Sequence, residues 1–184
     1  MHSLRLYITL LVLTSLLNLS GYSQNVVFER EDMRFWIEAP SNWRLDTLPI
    51  APKVIFGLYS PRESESDQFS ENINLVSDSL SNGIVSLDEY ILFSEKQIRS
   101  NAINLKEFSV KSLSSDDWGE YGNVTFKMTY GSFQLVTMQW YFCVNRKVLV
   151  LTFTAQDSAS SEIIDLGKKI IQSFLFMENK RKVG

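Results

Sequence analysis

The stretch NVTFKMTYGSFQLVTMQWYFCVNRKVLVLTFTA, residues 123–155, decides the fold. It holds three β-rich segments, 123–130, 133–144 and 148–155, joined by Gly131-Ser132 and by Asn145-Arg146-Lys147. A glycine at the first central position supplies the positive φ of a type II′ hairpin turn. Strands joined by such short turns run antiparallel. Successive side chains in a strand point to opposite faces. In segment 133–144, Val136, Met138, Trp140 and Phe142 make an apolar face, while Leu135, Thr137, Gln139, Tyr141 and Cys143 make a mixed one. In segment 148–155, Leu149, Leu151 and Phe153 oppose Val148, Val150, Thr152 and Thr154. A sheet that is apolar or half-apolar on both faces needs a cover on each.

Two amphipathic helices can provide the covers. Ser86-Leu87-Asp88-Glu89 is a capping box, in which the serine hydroxyl takes the Glu89 amide and the glutamate reaches back to the serine amide. Leu87, Ile91, Ile98 and Ala102 then recur near helical spacing with Tyr90 beside them, and Glu89, Glu95, Lys96 and Arg99 lie on the outer face. The second helix spans 158–174, with Ile163, Leu166, Ile170 and Phe174 on one stripe and Ile164 and Ile171 next to it. Further strands are expected at 26–30, 33–38, 53–60, 72–77 and 108–113. Pro52 and Pro61 bound the third of these runs, since neither fits a sheet interior. Turns or loops are expected at 39–42, 62–71 and 114–122, where Pro, Asn, Ser, Asp and Gly collect. The fold class is α+β, an antiparallel β-sheet sandwiched between α-helices, as one domain over 24–176.

The chain has 184 residues, 45% hydrophobic and 21% charged, which is the composition of a globular domain rather than a disordered one. The net charge of −3 argues against nucleic acid as a partner, because a polyanion selects a basic surface. Residues 1–23 read as a secretory signal peptide: Arg5 is the positive region, 6–19 is nearly all apolar, and Gly21-Tyr22-Ser23 places small residues where a signal peptidase cuts. The apolar run is shorter than the roughly 20 residues a membrane span needs, so the processed chain is not integral to a membrane. The expected location is secreted or periplasmic, with cleavage between Ser23 and Gln24. Residues 177–184 form a basic tail.

Several of these strings resemble the PsbP-like family: FWIEAPSNWR (Phe35 to Arg44), SLDEYI (Ser86 to Ile91), QWYF (Gln139 to Phe142), VLTFTA (Val150 to Ala155) and IIQSF (Ile170 to Phe174). The resemblance runs from about Val26 to Phe176. The family is similar to the extrinsic oxygen-evolving-complex protein of photosystem II and includes bacterial secreted members of undefined role. The resemblance implies an α/β/α sandwich and a non-catalytic accessory protein. The photosynthetic members help to retain calcium and chloride; that role is not carried over, since this chain has no histidine to match their metal-binding positions once the leader is removed.

The chemistry available points the same way. The one histidine is His2, which leaves with the signal peptide, so Ser-His-Asp and Cys-His catalysis lack their base. Ser109 and Lys111 share a strand face but stand in no supporting motif. No enzyme activity and no cofactor are expected. Cys143, in an aromatic-rich strand, reads as a small buried hydrophobe. Carboxylates collect in Glu63, Glu65, Asp67 and Glu71 and again in Asp116, Asp117 and Glu120, without the ligand spacing or the glycine of an EF-hand. Solvation of exposed loops accounts for them better than a weak calcium site does. Trp43 and Trp118 sit in or beside turns, where they either close the ends of the sandwich or anchor a partner. With Tyr121 they are the candidate binding residues. The expected role is binding a protein or an envelope component; the alternative is carriage of a small apolar ligand between sheet and helix.

Overall fold

A computed structural model describes residues 23–30, 33–47, 53–79, 86–144 and 146–176. The decisive stretch forms three consecutive antiparallel strands, β7 (Gly119–Tyr130), β8 (Phe133–Val144) and β9 (Lys147–Gln156), with Gly131 at φ 59° in the first connection. Around them lie β3 (Arg44–Asp46), β4 (Val54–Tyr59), β5 (Asn72–Ser79) and β6 (Ile103–Ser115). The resulting seven-stranded sheet has the order β3-β4-β5-β9-β8-β7-β6, antiparallel throughout. A second sheet of order β1-β2-β10 joins β1 (Ser23–Arg30), β2 (Met33–Pro40) and the two-residue β10 (Leu175–Phe176). The helices are α1 (Leu87–Asn101) and α2 (Ser161–Gln172).

The two faces of the large sheet bury different sets of residues. On one, Leu149, Leu151 and Phe153 of β9 join Phe142, Ile73, Leu75, Phe56 and Leu58, covered by Phe35 and Ile37 of β2 and by Ile170, Ile171 and Phe174 of and after α2. The rings close on each other, with Phe35 and Phe142 at 5.2 and 5.5 Å from Phe174 between centroids. Ser173 ties the end of α2 to β2, its Oγ accepting the Glu38 amide at 2.8 Å. On the other face, α1 packs on β7 and β8. Ile91 meets Val124, Phe126, Tyr141, Val148 and Val150, with Leu87, Tyr90 and Ile98 half-buried beside it. Helices therefore lie on both sides of the sheet, and the alternation read from 133–144 and 148–155 sorts residues to the correct faces.

Several local expectations change. The turn expected at 114–122 shrinks to residues 116–118, because β6 and β7 extend to Ser115 and from Gly119. The strand expected at 108–113 begins at Ile103; its first part escapes an alternating pattern because register shifts interrupt it, with Asn104 and Glu107 at φ 52° and 50°. Strands β3 and β10 are too short to leave a periodic signal. Cys143 is exposed, not buried, since it projects from the α1 side near the end of β8. The capping box at Ser86 forms in full. Of the expected signal peptide only Ser23 is described; the rest of it and the tail at 177–184 lie outside the described residues.

Candidate functional site

The hairpin between β6 and β7 carries two of the three candidate binding residues. Asp116, Asp117 and Trp118 form its turn, which the Ser115 Oγ steadies by accepting the Trp118 amide at 3.1 Å, and Gly119 leaves it at φ 64°. The Trp118 ring folds back over the end of the α2-side core. It meets Tyr121 edge-on at 5.0 Å and Phe142 at 5.3 Å, and its Nε1–H donates to the Phe174 carbonyl at 2.5 Å. Tyr121 stands opposite Phe142 in the register. Both Trp118 and Tyr121 stay half-buried, closing the core while keeping an outer edge in solvent. Trp43 differs. Its amide donates to the Pro40 carbonyl at 2.9 Å and its side chain enters the core, leaving 3% of the residue exposed. A ring without accessible surface cannot anchor a partner, so Trp43 is a lid and drops out as a binding residue.

Beside Tyr121 a cleft of about 390 Å³ opens between this hairpin and the first turn of α1, lined by Ser86, Leu87, Asp88, residues 112–114, Glu120 and Tyr121. The Ser112 hydroxyl donates to Asp88 across it at 3.5 Å. Asp88, Glu89, Asp116, Asp117 and Glu120 are all exposed, so this end of the molecule is acidic. The signal for it in the sequence was the second carboxylate cluster. Its meeting with the helix cap was not readable, because residues 88 and 112 are brought together only by the packing of α1 on the sheet.

The other acidic loop is used internally. Asp67 accepts the amides of Phe69 and Glu63 at 3.0 and 2.9 Å, and these bonds hold its carboxyl below the ordinary range. Glu71 is buried and accepts the Ser60 hydroxyl at 3.0 Å. Among the described residues no three of His, Cys, Asp and Glu come together in a way that could hold a metal ion. A more apolar cleft of about 320 Å³ lies where α2 ends against β2, between Leu166, Ile170 and residues 38–40. No described helix is long and apolar enough to cross a membrane.

Compared with solved structures, the chain superposes on cyanobacterial PsbP from Synechocystis with a TM-score of 0.60 at 10% identity, over 85% of this chain and 94% of that one. The fold is PsbP-like. The same PsbP-like arrangement occurs in LpqN, involved in cell envelope biogenesis of Mycobacterium tuberculosis, at TM-score 0.57 and 14% identity over 85% of this chain and 92% of that one. It occurs again in the Saccharomyces cerevisiae Ran-binding protein Mog1p, at TM-score 0.52 and 10% identity over 83% and 95%. No protein-family model and no curated protein sequence matches the chain. At such identities the shared feature is the PsbP-like fold itself, and fold alone assigns no function.

Proposed function

We propose that this is a non-catalytic accessory protein, exported to the periplasm or beyond, that binds another protein or an envelope component through the β6–β7 end. The observation that carries this reading is the pairing of half-buried Trp118 and Tyr121 beside an acidic cleft. Aromatic side chains with one face packed and one edge free are favoured interface anchors. The surrounding carboxylates favour a partner that presents basic groups, since complementary charge speeds and orients docking. Support also comes from the lack of histidine outside position 2, which leaves acyl-transfer chemistry without its usual base. The solved proteins of similar fold include a Ran-binding protein and one with a role in envelope biogenesis.

The test is affinity capture from the native envelope fraction with the wild-type chain, Trp118→Ala and Glu120→Lys. One partner should be retained by the wild type and lost with both variants. Glu120 is exposed, so its variant leaves the fold intact where Trp118→Ala loosens the lid. Retention of the same partner by both variants would overturn the reading. The apolar cleft at the end of α2 supports a second reading, carriage of a small apolar ligand. Native mass spectrometry of freshly purified protein would show an added mass in that case and the bare chain otherwise.

A further inference from the structure

The large sheet ends at β6, which pairs with β7 on one side and with no described strand on the other. The strand is open to solvent along its length: apart from Leu105 and Phe108, which are half-buried, every residue of β6 is exposed. Alternate residues of an edge strand turn their N–H and C=O groups outward, which makes the edge a template for another strand. From Ser109 to Ser115 the register with β7 is unbroken, so the outer groups there keep strand geometry. Charge is the usual means of blunting such an edge. Between 108 and 115 the one charged side chain is Lys111, and Val110 and Leu113 near it are 37% and 40% exposed.

The register sorts these residues by face. Val110 stands opposite Val124 of the α1-side core, so Lys111 lies on the α2 side. Glu107 lies on that side too, because it pairs at 2.8 Å with Lys127, whose cross-strand neighbour is Val136 of the α2-side core. Asp157 also holds Lys127, at 3.0 Å, so two carboxylates share one ammonium and the place keeps a negative excess. Lys111 has no ion pair among the described residues. On the α1 side, the Ser112 hydroxyl donates to Asp88 and Arg99 lies over the Phe108 ring at 4.1 Å. These two contacts turn the helix stripe Asp88, Leu92, Glu95, Arg99 toward β6. Leu92, midway along it, is 51% exposed.

We propose that the β6 edges of two copies of this chain pair antiparallel about a two-fold axis at Ser109, joining their sheets into one. Counting outward from that axis, Phe108 faces the partner's Val110 and Glu107 faces the partner's Lys111, each twice by symmetry. Opposite charges facing each other across a strand pair stabilise it, and like charges weaken it. An axis at Lys111 sets two ammonium groups face to face, and an axis at Val110 or Ser112 leaves Lys111 opposite a serine or a leucine. Of these axes only the one at Ser109 gives each lysine a carboxylate. The antiparallel sense also directs the acidic hairpin tip of each copy, Asp116 and Asp117, toward the end of the other strand that carries Lys106. A second copy is the occupant because the edge is complementary to itself. The contact is at the small end of specific interfaces, so the dimer is concentration-dependent. Trp118 takes no part in it, and the inference stands apart from the docking reading above.

The experiment is sedimentation velocity of the full processed chain over about a hundredfold range of concentration. The wild type should pass from monomer to dimer. Lys111→Glu opposes carboxylates at both contacts and Glu107→Lys opposes ammonium groups, so each variant alone should dimerise at least about tenfold more weakly. Mixed together, the two variants bring carboxylate against ammonium at both contacts, and a mixed dimer should form about as tightly as the wild type. Both sites are exposed, and recovery on mixing shows that neither variant has merely lost its fold. Trp118→Ala should dimerise as the wild type does. The inference is overturned if the wild type stays monomeric throughout, if either charge variant alone dimerises as tightly as the wild type, if the mixture associates no better than its components, or if Trp118→Ala abolishes the dimer.

Discussion

The two faces of the seven-stranded sheet are built from the same strands and have opposite characters. Toward α2 and the small sheet, β4, β5, β9 and β8 each contribute buried aliphatic or aromatic residues, and Phe35, Phe56, Phe142, Phe153 and Phe174 form one continuous interior. Toward α1, the buried apolar cluster lies under Ile91, and beyond it the same strands carry Asn, Gln and Thr, of which Thr137 and Thr152 are themselves buried. The difference follows from how much cover each side has. A twelve-residue helix and a second sheet seal one face, and a single helix seals part of the other. The α2 side therefore carries the larger share of the apolar core, and the α1 side carries a smaller one centred on Ile91.

The largest expected effect contrasts two phenylalanines. Phe153 is fully buried on the α2 side, and Phe153→Ala should cost about 3–5 kcal/mol in urea unfolding, the usual range for emptying an aromatic site. Phe93→Ala, on the α1 side, should stay within about 0.5 kcal/mol of wild type. Equal losses would mean that the two faces are not divided in this way.

A smaller effect sharpens the comparison through two glycines. Gly167 of α2 lies directly against the Phe153 ring, and Gly122 of β7 lies against the tip of Ile91. A methyl group at 167 must displace a ring held on all sides, so Gly167→Ala should cost about 1–3 kcal/mol despite the better helix propensity of alanine. At 122 the obstacle is the terminal methyl of the buried Ile91, which turns aside more easily than a ring, and Gly122→Ala should cost less than Gly167→Ala, about 1 kcal/mol. Thermal melts of the two variants rank them.

The smallest effect depends on pH. Burial raises the pKa of Asp78, but the Lys53 ammonium, the Ser79 amide and the Tyr90 hydroxyl together outweigh it and hold the carboxyl below its ordinary value of 3.8. A depressed folded-state value means that the unfolded chain takes up the proton first. The contribution is thus present above 3.8 and lost as pH falls through the lower folded value. Asp78→Asn should therefore lower stability at neutral pH, flatten the acid limb of the stability curve and leave stability nearly unchanged once the pH is below the folded value. Since Asp78 anchors α1 through Tyr90, the loss should appear first as reduced amide protection in α1, with α2 unaffected.

The sequence was most legible where the signal is local. The hairpin at Gly131-Ser132, the capping box at Ser86 and the two-residue alternation in 133–144 and 148–155 each state their geometry within a few residues, and each is found in place. Legibility failed where geometry depends on distant partners. Strand β10 exists because Leu175 and Phe176 meet Trp36 and Phe35 across the fold. The shifts in β6 have no compositional mark. Trp43 and Trp118 look alike in sequence, each beside a turn, yet one is fully packed and the other is half open. The mixed face of β8 was visible as a pattern, but the rows it forms with Asn74 and Thr154 depend on strand order, which alternation does not encode.

The most direct test of a sheet whose apolar α2 face carries more of the stability than the polar rows of its α1 face is the equilibrium unfolding of the triple variant Asn74→Val, Thr137→Val, Thr154→Val in urea. These side chains have no hydrogen-bond partner among the described residues, so the account predicts a variant as stable as wild type or more so. A loss of more than about 1 kcal/mol would contradict it, because that is the size of a hydrogen bond the fold had been using.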